Sequence, residues 1–278
     1  IGSAGHDRHC QPRPLRRLRL ACCLSGLLLA GCATALPEPA GRAEADTLIH
    51  GGLLFDSGSG AGRIADVAIR GDRILEVGPD LRRRYRARHE IDATSLVVSP
   101  GFIDPHTHPG TYLRSPDPAM RRALPWLHQG VSTIFIGVDG GGTPDIATDR
   151  ARLKTAGIGI NVAAYVGLGP VRRQVLGNDA RAPDADELAR MRGLVADAMC
   201  EGALGLSAGL FYAPQSFAST DEVIALASEA AIRGGVYDTH HRDESNYSLG
   251  LAGSIEEALE IGRRAGIPVH IAHIKALG

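Results

Sequence analysis

From Val97 onward, short β-branched apolar runs alternate with stretches of helical periodicity, and no other feature limits the fold as strongly. The first run opens at Val97. The others are Val131–Val138, Ile158–Val166, Leu204–Ser207, Val236–Thr239 and Ile267–Ala272. A helical stretch from about Pro144 stops at Gly157, and Asp184–Cys200 has apolar residues at helical spacing (Leu188, Met191, Val195, Ala198) with Gly202 as C-cap. Ser219 with Glu222 and Ser254 with Glu257 read as capping boxes opening two more helices, the second ended by Gly266. Such alternation implies an α/β fold with a parallel sheet. Six units are two short of a closed (β/α)8 TIM-like barrel, and the sequence stops at Gly278 just after the sixth strand, so the barrel is expected to be incomplete in this chain.

Barrels carry their chemistry at the C-terminal ends of the strands. The first run leads into Pro100–Gly101–Phe102–Ile103–Asp104–Pro105–His106–Thr107–His108. Side chains at i and i+2 of an extended chain point the same way, so His106 and His108 present two imidazoles to one place, and Asp104 shares their parity. Alone, a His-x-His pair reads more readily as a pair of surface histidines than as half of a metal site. Here Asp139 ends the second strand, His240 the fifth and His273 the sixth. Polar clusters at the same end of four strands predict a metal centre of His106, His108, Asp139, His240 and His273. The competing reading of Asp139 is a cap for the glycine turn that follows it.

Before Val97 lie strand-like pieces, Thr47–Phe55, Ile64–Arg70, Arg73–Val77 and Arg88–Ile91, separated by Gly- and Asp-rich turns. Residues 46–96 are therefore expected to form part of a small β-sandwich domain on the N-terminal side of a barrel spanning 97–278. Residues 1–32 read as a lipoprotein-type signal: Arg13, Arg16, Arg17 and Arg19 precede an apolar run too short for a bilayer, which takes about 20 residues. Residues 33–45, with Pro37 and Pro39, read as a tether. With net charge −1, the chain offers no electrostatic case for nucleic acid. Cys200 would be the only cysteine of the mature part besides Cys32, which excludes a disulfide framework, and it is expected to be a small buried apolar residue.

The chain resembles the amidohydrolase superfamily and, within it, the N-acyl-D-amino-acid deacylase (D-aminoacylase) branch. The resemblance runs from about Asp46 to the end. The first motif, Pro100–His108, marks the superfamily. Gly202–Ala203–Leu204–Gly205–Leu206–Ser207, Gly209–Leu210–Phe211–Tyr212, Thr239–His240–His241–Arg242–Asp243–Glu244 and Ala272–His273–Ile274–Lys275 mark the branch. The resemblance implies that His106, His108, His240 and His273 surround a divalent metal, with zinc as the expected ion. The family's second strand ends in Gly-Asn-Cys-Gly with a ligand cysteine, whereas this chain has Gly137–Val138–Asp139–Gly140, a harder donor. The branch uses a lysine where Lys275 stands to hold the substrate's α-carboxylate, and Tyr212 is a candidate pocket residue. Of 30 basic residues only Lys154 and Lys275 are lysines, and Lys154 falls in a helix, so a metal-bridging carboxylated lysine is not expected. Leu29–Ala30–Gly31–Cys32 resembles a bacterial lipobox, which implies export, lipidation at Cys32 and a periplasm-facing membrane surface.

The activity implied is metal-dependent hydrolysis of the amide bond of N-acyl-D-amino acids. A bound divalent ion lowers the pKa of water to about 7. The family's general base, an aspartate ending strand eight, has no match here and is expected beyond the chain end. Another amidohydrolase (a cyclic amide hydrolase or dipeptidase) and a non-catalytic metal-binding lipoprotein are the alternatives. His241 and His270 have the wrong parity for the centre and read as packing residues. Arg242, Asp243 and Glu244 read as loop braces.

Overall fold

The computed structural model describes residues 41–56 and 60–277. The leader, Cys32 and most of the tether lie outside these residues. The described residues form two compact units, divided between Gly101 and Phe102.

The first unit is a sheet ordered β3-β2-β1-β4, with β5 also on β1. Its strands are β1 (Ala43–Leu54), β2 (Arg63–Arg70), β3 (Arg73–Gly78), β4 (Tyr85–Asp92) and β5 (Val97–Val98). β1 thus begins inside the stretch expected to be tether. The register of β1 on β2 shifts between Ile49 and Gly52. Gly51 takes φ +75 there, a conformation that favours glycine, and donates its N–H to buried Asp66 at 2.9 Å. On the same edge, residues before the bulge pair with β4 and residues after it pair with β5. Val97–Val98 therefore belongs to this sheet, and the chain leaves the small unit at Gly101 rather than after Leu96. The expected first barrel strand starts at Phe102.

The second unit is parallel throughout. β6 (Phe102–Asp104), β7 (Val131–Ile136) and β8 (Asn161–Ala164) form one sheet, ordered as in the sequence. β9 (Val166–Gly167), β10 (Gly205–Gly209), β11 (Val236–His240) and β12 (Val269–Ile271) form the other, ordered the same way. Only Tyr165 separates β8 from β9, and its N–H bonds Ile136 O at 3.0 Å. The two sheets thus run on as six successive positions, the sequential order of a singly wound barrel.

Three single-turn helices, α1 (Gly110–Leu113), α2 (Pro118–Arg121) and α3 (Leu124–Leu127), link β6 to β7. α4 (Ile146–Ala156) links β7 to β8. α5 (Leu168–Leu176) and α6 (Ala185–Glu201) follow β9, α7 (Thr220–Ala231) follows β10 and α8 (Gly250–Ala265) follows β11. Leu206 and Tyr237 of the sheet, Met191 and Val195 of α6 and Leu226 of α7 are fully buried in one core. Asp184 and Glu187 form a complete capping box on α6. Ser219 caps α7, accepting from Glu222 N–H, but the Glu222 side chain turns to Arg172 instead of closing the box. Ser254 and Glu257 are no cap, since α8 starts four residues before Ser254. Asp243 serves that end from outside, accepting N–H groups of Ser245, Ser248 and Gly250. Cys200 is exposed rather than buried. Among the described residues no helix is long and apolar enough to cross a membrane.

Candidate metal centre

Parallel register sets the site's rows. Ser207 of β10 pairs with Asp238 of β11, and Asp238 pairs with His270 of β12. Period-2 alternation puts these three on one face, with His240 two residues further along. Opposite them, the chain leaving β6 is pinned by Thr107, whose hydroxyl donates to Phe135 O at 2.6 Å, and by Asp104, which accepts the His106 N–H at 3.2 Å. Asp104 is thereby used in the turn. His106 and His108 are left to point outward together, as the His-x-His spacing requires.

All five expected ligands meet at Asp139. Its Oδ1 lies 3.2 Å from His106 Nε2, 3.6 Å from His240 Nδ1 and 3.8 Å from His273 Nε2. Its Oδ2 lies 3.3 Å from His108 Nε2. Donors held at about 2.0–2.1 Å around one tetrahedral ion are separated by about 3.3 Å, so the spacing suits a shared cation. Asp139 Oδ1 and His106 Nε2 are buried and face each other and the neighbouring rings, and His240 Nε2, also buried, faces Glu244 Oε1. Buried ligand-type atoms with little but one another for partners fit a metal. Three triads here, His106–His108–Asp139, Asp139–His240–His273 and His106–Asp238–His270, have ligand atoms within 4.8 Å of one another.

The backbone explains how Asp139 reaches the centre. It takes φ +52, a region where Asp is enriched among side-chain-bearing residues, and Gly140 follows at φ +68. Neighbouring elements clamp this turn. Gly140 N–H donates to Ser207 Oγ at 2.6 Å, and Gln215 Nε2 donates to Asp139 O at 2.9 Å. Gly141 and Gly142 N–H groups go to Val138 O and Gly137 O. The turn's donors are thus satisfied without the Asp139 carboxylate, which counts against the capping reading. A Cβ on Gly140 would sit 1.7 Å from Gln215 Oε1. Gly140→Ala is expected to lower unfolding free energy by about 2 kcal/mol or more, from the left-handed backbone and the clash together. Urea unfolding against wild type measures this, and an unchanged midpoint would show that the turn is not rigid.

Charge at the centre is balanced between rings and carboxylates. Burial opposes protonation of His106, but the bonds to Asp139 and Asp238 outweigh it and push His106 up to about 9. Burial also opposes ionisation of Asp139, yet His106 and His240 hold it far below the usual carboxylate range. His106 would hold a divalent ion only with its Nε2 unprotonated, so binding there would be coupled to release of a proton.

Three residues have a place at the centre that the sequence did not predict. Glu244 braces the loop by an ion pair, as expected, and also borders the ring ligands. Its Oε1 bonds Lys275 Nζ and lies 3.5 Å from His240 Nε2 and 3.4 Å from His273 Nδ1. Asp238, fully buried, takes His270 Nδ1 at 2.6 Å and faces His106 Nδ1 at 3.2 Å. His270 is therefore in a polar cluster beside the centre rather than in apolar packing. The i, i+2 spacing of Asp238 and His240 was the available signal. Arg242 does brace the loop, through Glu257, and Asp243 braces it through backbone N–H groups instead of ion pairs. His241 is buried away from Asp139, and burial lowers its pKa. Tyr212 reaches the edge of the centre, its hydroxyl 3.4 Å from His240 Nδ1, and Lys275 Nζ lies 3.2 Å from His273 Nδ1.

Known proteins resemble this chain in sequence and fold. A D-aminoacylase from Alcaligenes xylosoxydans xylosoxydans is 36% identical over 256 residues, covering 84% of this chain and 51% of the relative. The chain is homologous to the D-aminoacylases of the amidohydrolase superfamily. A D-aminoacylase structure described for its binuclear metal centre superposes with TM-score 0.72 at 35% identity, over 84% of this chain and 52% of the other. An N-acyl-D-glutamate deacylase from Bordetella bronchiseptica, complexed with zinc and a phosphonate mimic of the tetrahedral intermediate, gives TM-score 0.71 at 30% identity, over 81% and 50%. No family model matches the sequence. The chain spans about half the length of the curated relatives it matches. The deacylase resemblance read from the motifs therefore holds, as does the α/β fold of TIM-barrel type.

Proposed function

We propose that this chain carries the metal centre of a hydrolase that cleaves N-acyl-D-amino acids to a carboxylate and a D-amino acid. The observation that carries this reading is the convergence of His106, His108, His240 and His273 on the Asp139 carboxylate. Imidazole-rich donors suit zinc, the ion in the solved deacylase relative, and we propose zinc here. When bound, the ion supplies an activated water and polarises the scissile carbonyl. Lys275, half exposed and steadied by Glu244, is placed to hold the substrate's α-carboxylate. Tyr212, 44% exposed above His240, lines the approach. Completion of the barrel and a second layer on the small sheet belong to the same proposal.

The test is a hydrolysis screen of N-acyl-D- and N-acyl-L-amino acids with the protein expressed from its whole gene, before and after chelation. Turnover of D-substrates, lost on chelation and restored by zinc, is expected. Turnover insensitive to chelation, or confined to cyclic amides or dipeptides, would remove the assignment.

The leader supports a proposal of its own: export to a periplasm-facing membrane surface through lipid on Cys32. The basic, apolar start and the Leu29–Cys32 motif support it. Cys32→Ser is expected to accumulate as unprocessed precursor without incorporated fatty acid. Normal labelling of that variant by radioactive palmitate would rule the anchor out.

A further inference from the structure

Asp238 occupies a position that an apolar residue would fill more cheaply. It sits within the β-branched run of β11, it is 0% exposed, and burying a carboxylate without compensation is costly. Its described partners are two imidazoles. His270 Nδ1 lies at 2.6 Å from Oδ1, beside it in the β11–β12 register, and His106 Nδ1 lies at 3.2 Å from the same oxygen, reached from β6, which shares no sheet with β11. The other nitrogen of His106, Nε2, is the one that faces Asp139 Oδ1. One ring thus has its two nitrogens aimed at two carboxylates with different roles.

We propose that Asp238 is a positioning residue for the metal centre: it accepts the His106 Nδ1–H, which leaves the Nε2 lone pair for the ion, and His270 clamps Asp238 in place. The inference rests on the metal reading above. A ligand imidazole whose far N–H is held by a carboxylate has a fixed tautomer and ring plane and is a stronger donor. Among the described residues nothing else holds His106 Nδ1, since Asp104 accepts the backbone N–H of His106 and not its ring. His270, whose strand parity keeps it from Asp139, gains a role through its neighbour. The cost of a buried carboxylate is offset by the ion's positive charge, delivered through one imidazole.

Cobalt(II) titration of wild type, Asp238→Asn and His270→Gln tests this, with absorption spectra and ion stoichiometry recorded together. Asp238→Asn keeps the shape and an acceptor oxygen but loses the charge. It is expected to bind the same number of ions with affinity lowered about 10–100-fold and with shifted cobalt bands. His270→Gln is expected to move both readouts the same way by a smaller factor, and it carries the test if the asparagine variant does not fold. Unchanged affinity and spectrum in the folded variants would overturn the proposal. So would loss of one whole ion at saturation with the remainder unaltered, because Asp238 would then be a ligand itself. Failure of wild type to bind cobalt or zinc would instead sink the metal reading and is seen separately.

Discussion

Asp139→Ala is expected to lose its metal while keeping its fold. Its carboxylate is the one group that all four ring ligands approach, within 3.2–3.8 Å. The turn that carries it takes its hydrogen bonds from Ser207, Gln215 and its own backbone, so the alanine variant should stay folded, losing without metal only what the ion pairs of Asp139 with His106 and His240 contribute. Affinity should fall by more than about 100-fold, beyond the range seen on removing an outer partner alone. Hydrolysis should fall with it. Asp139→Cys should behave differently, retaining metal and shifting preference toward zinc, because thiolate is the softer donor. Elemental analysis of the two variants and wild type, purified side by side, gives the answer. Full metal content in the alanine variant would take Asp139 out of the centre.

The largest loss of stability is expected from Arg172→Met. Arg172 on α5 is 0% exposed and places Nη1 at 2.5 and 2.6 Å from the two carboxylate oxygens of Glu222 on α7, itself 3% exposed. Its Nη2 donates to Arg181 O at 2.9 Å. Burial pushes the Glu222 carboxyl up by more than Arg172 pulls it down. The intact pair therefore adds little over an apolar pair, but removing one partner strands a charge in the core, which costs about 3–5 kcal/mol. Denaturant unfolding of Arg172→Met should show that loss. The double variant Arg172→Met with Glu222→Leu should recover most of it. A single variant as stable as wild type would show that Glu222 simply takes up a proton at little cost.

How much of this was legible in the sequence depended on the range of the signal. His106 with His108 could be read because the period of an extended chain is local. Asp139, His240 and His273 could be read because alternating strands and helices bring strand ends to one side. Asp238 was missed although it shares the parity of His240, since a single carboxylate in a β-branched run announces no partner and His106 is 132 residues away. The place of Glu244 beside the rings was missed for a related reason: it depends on Lys275, 31 residues away, and on His273, while Asp243 spends its carboxylate on the backbone. α5 was missed because Gly167–Leu168–Gly169–Pro170 reads as a loop, yet Pro170 is harmless in a first turn where its missing N–H has no partner to lose. The Ser254–Glu257 pattern misled because its spacing fits a capping box, while the actual helix start is served by Asp243 from the preceding loop. The strand at Val97–Val98 went to the small sheet because β4 pairs with β1 only up to the bulge and leaves the rest of that edge to β5, which no local pattern encodes.

The donors that meet at Asp139 come from points as far apart in the chain as His106 and His273. An ion shared among them ties the first strand of the parallel array to the last described one, so it acts on the folding equilibrium as a cross-link does. Anything that binds the folded state alone stabilises it by mass action, about 2.7 kcal/mol when the free ligand is 100 times its dissociation constant. The melting temperature of this protein is thus expected to rise with the free concentration of the divalent ion it binds. Surroundings poor in that ion would deplete the folded population as well as the loaded one, and the fold and the site share a single environmental variable.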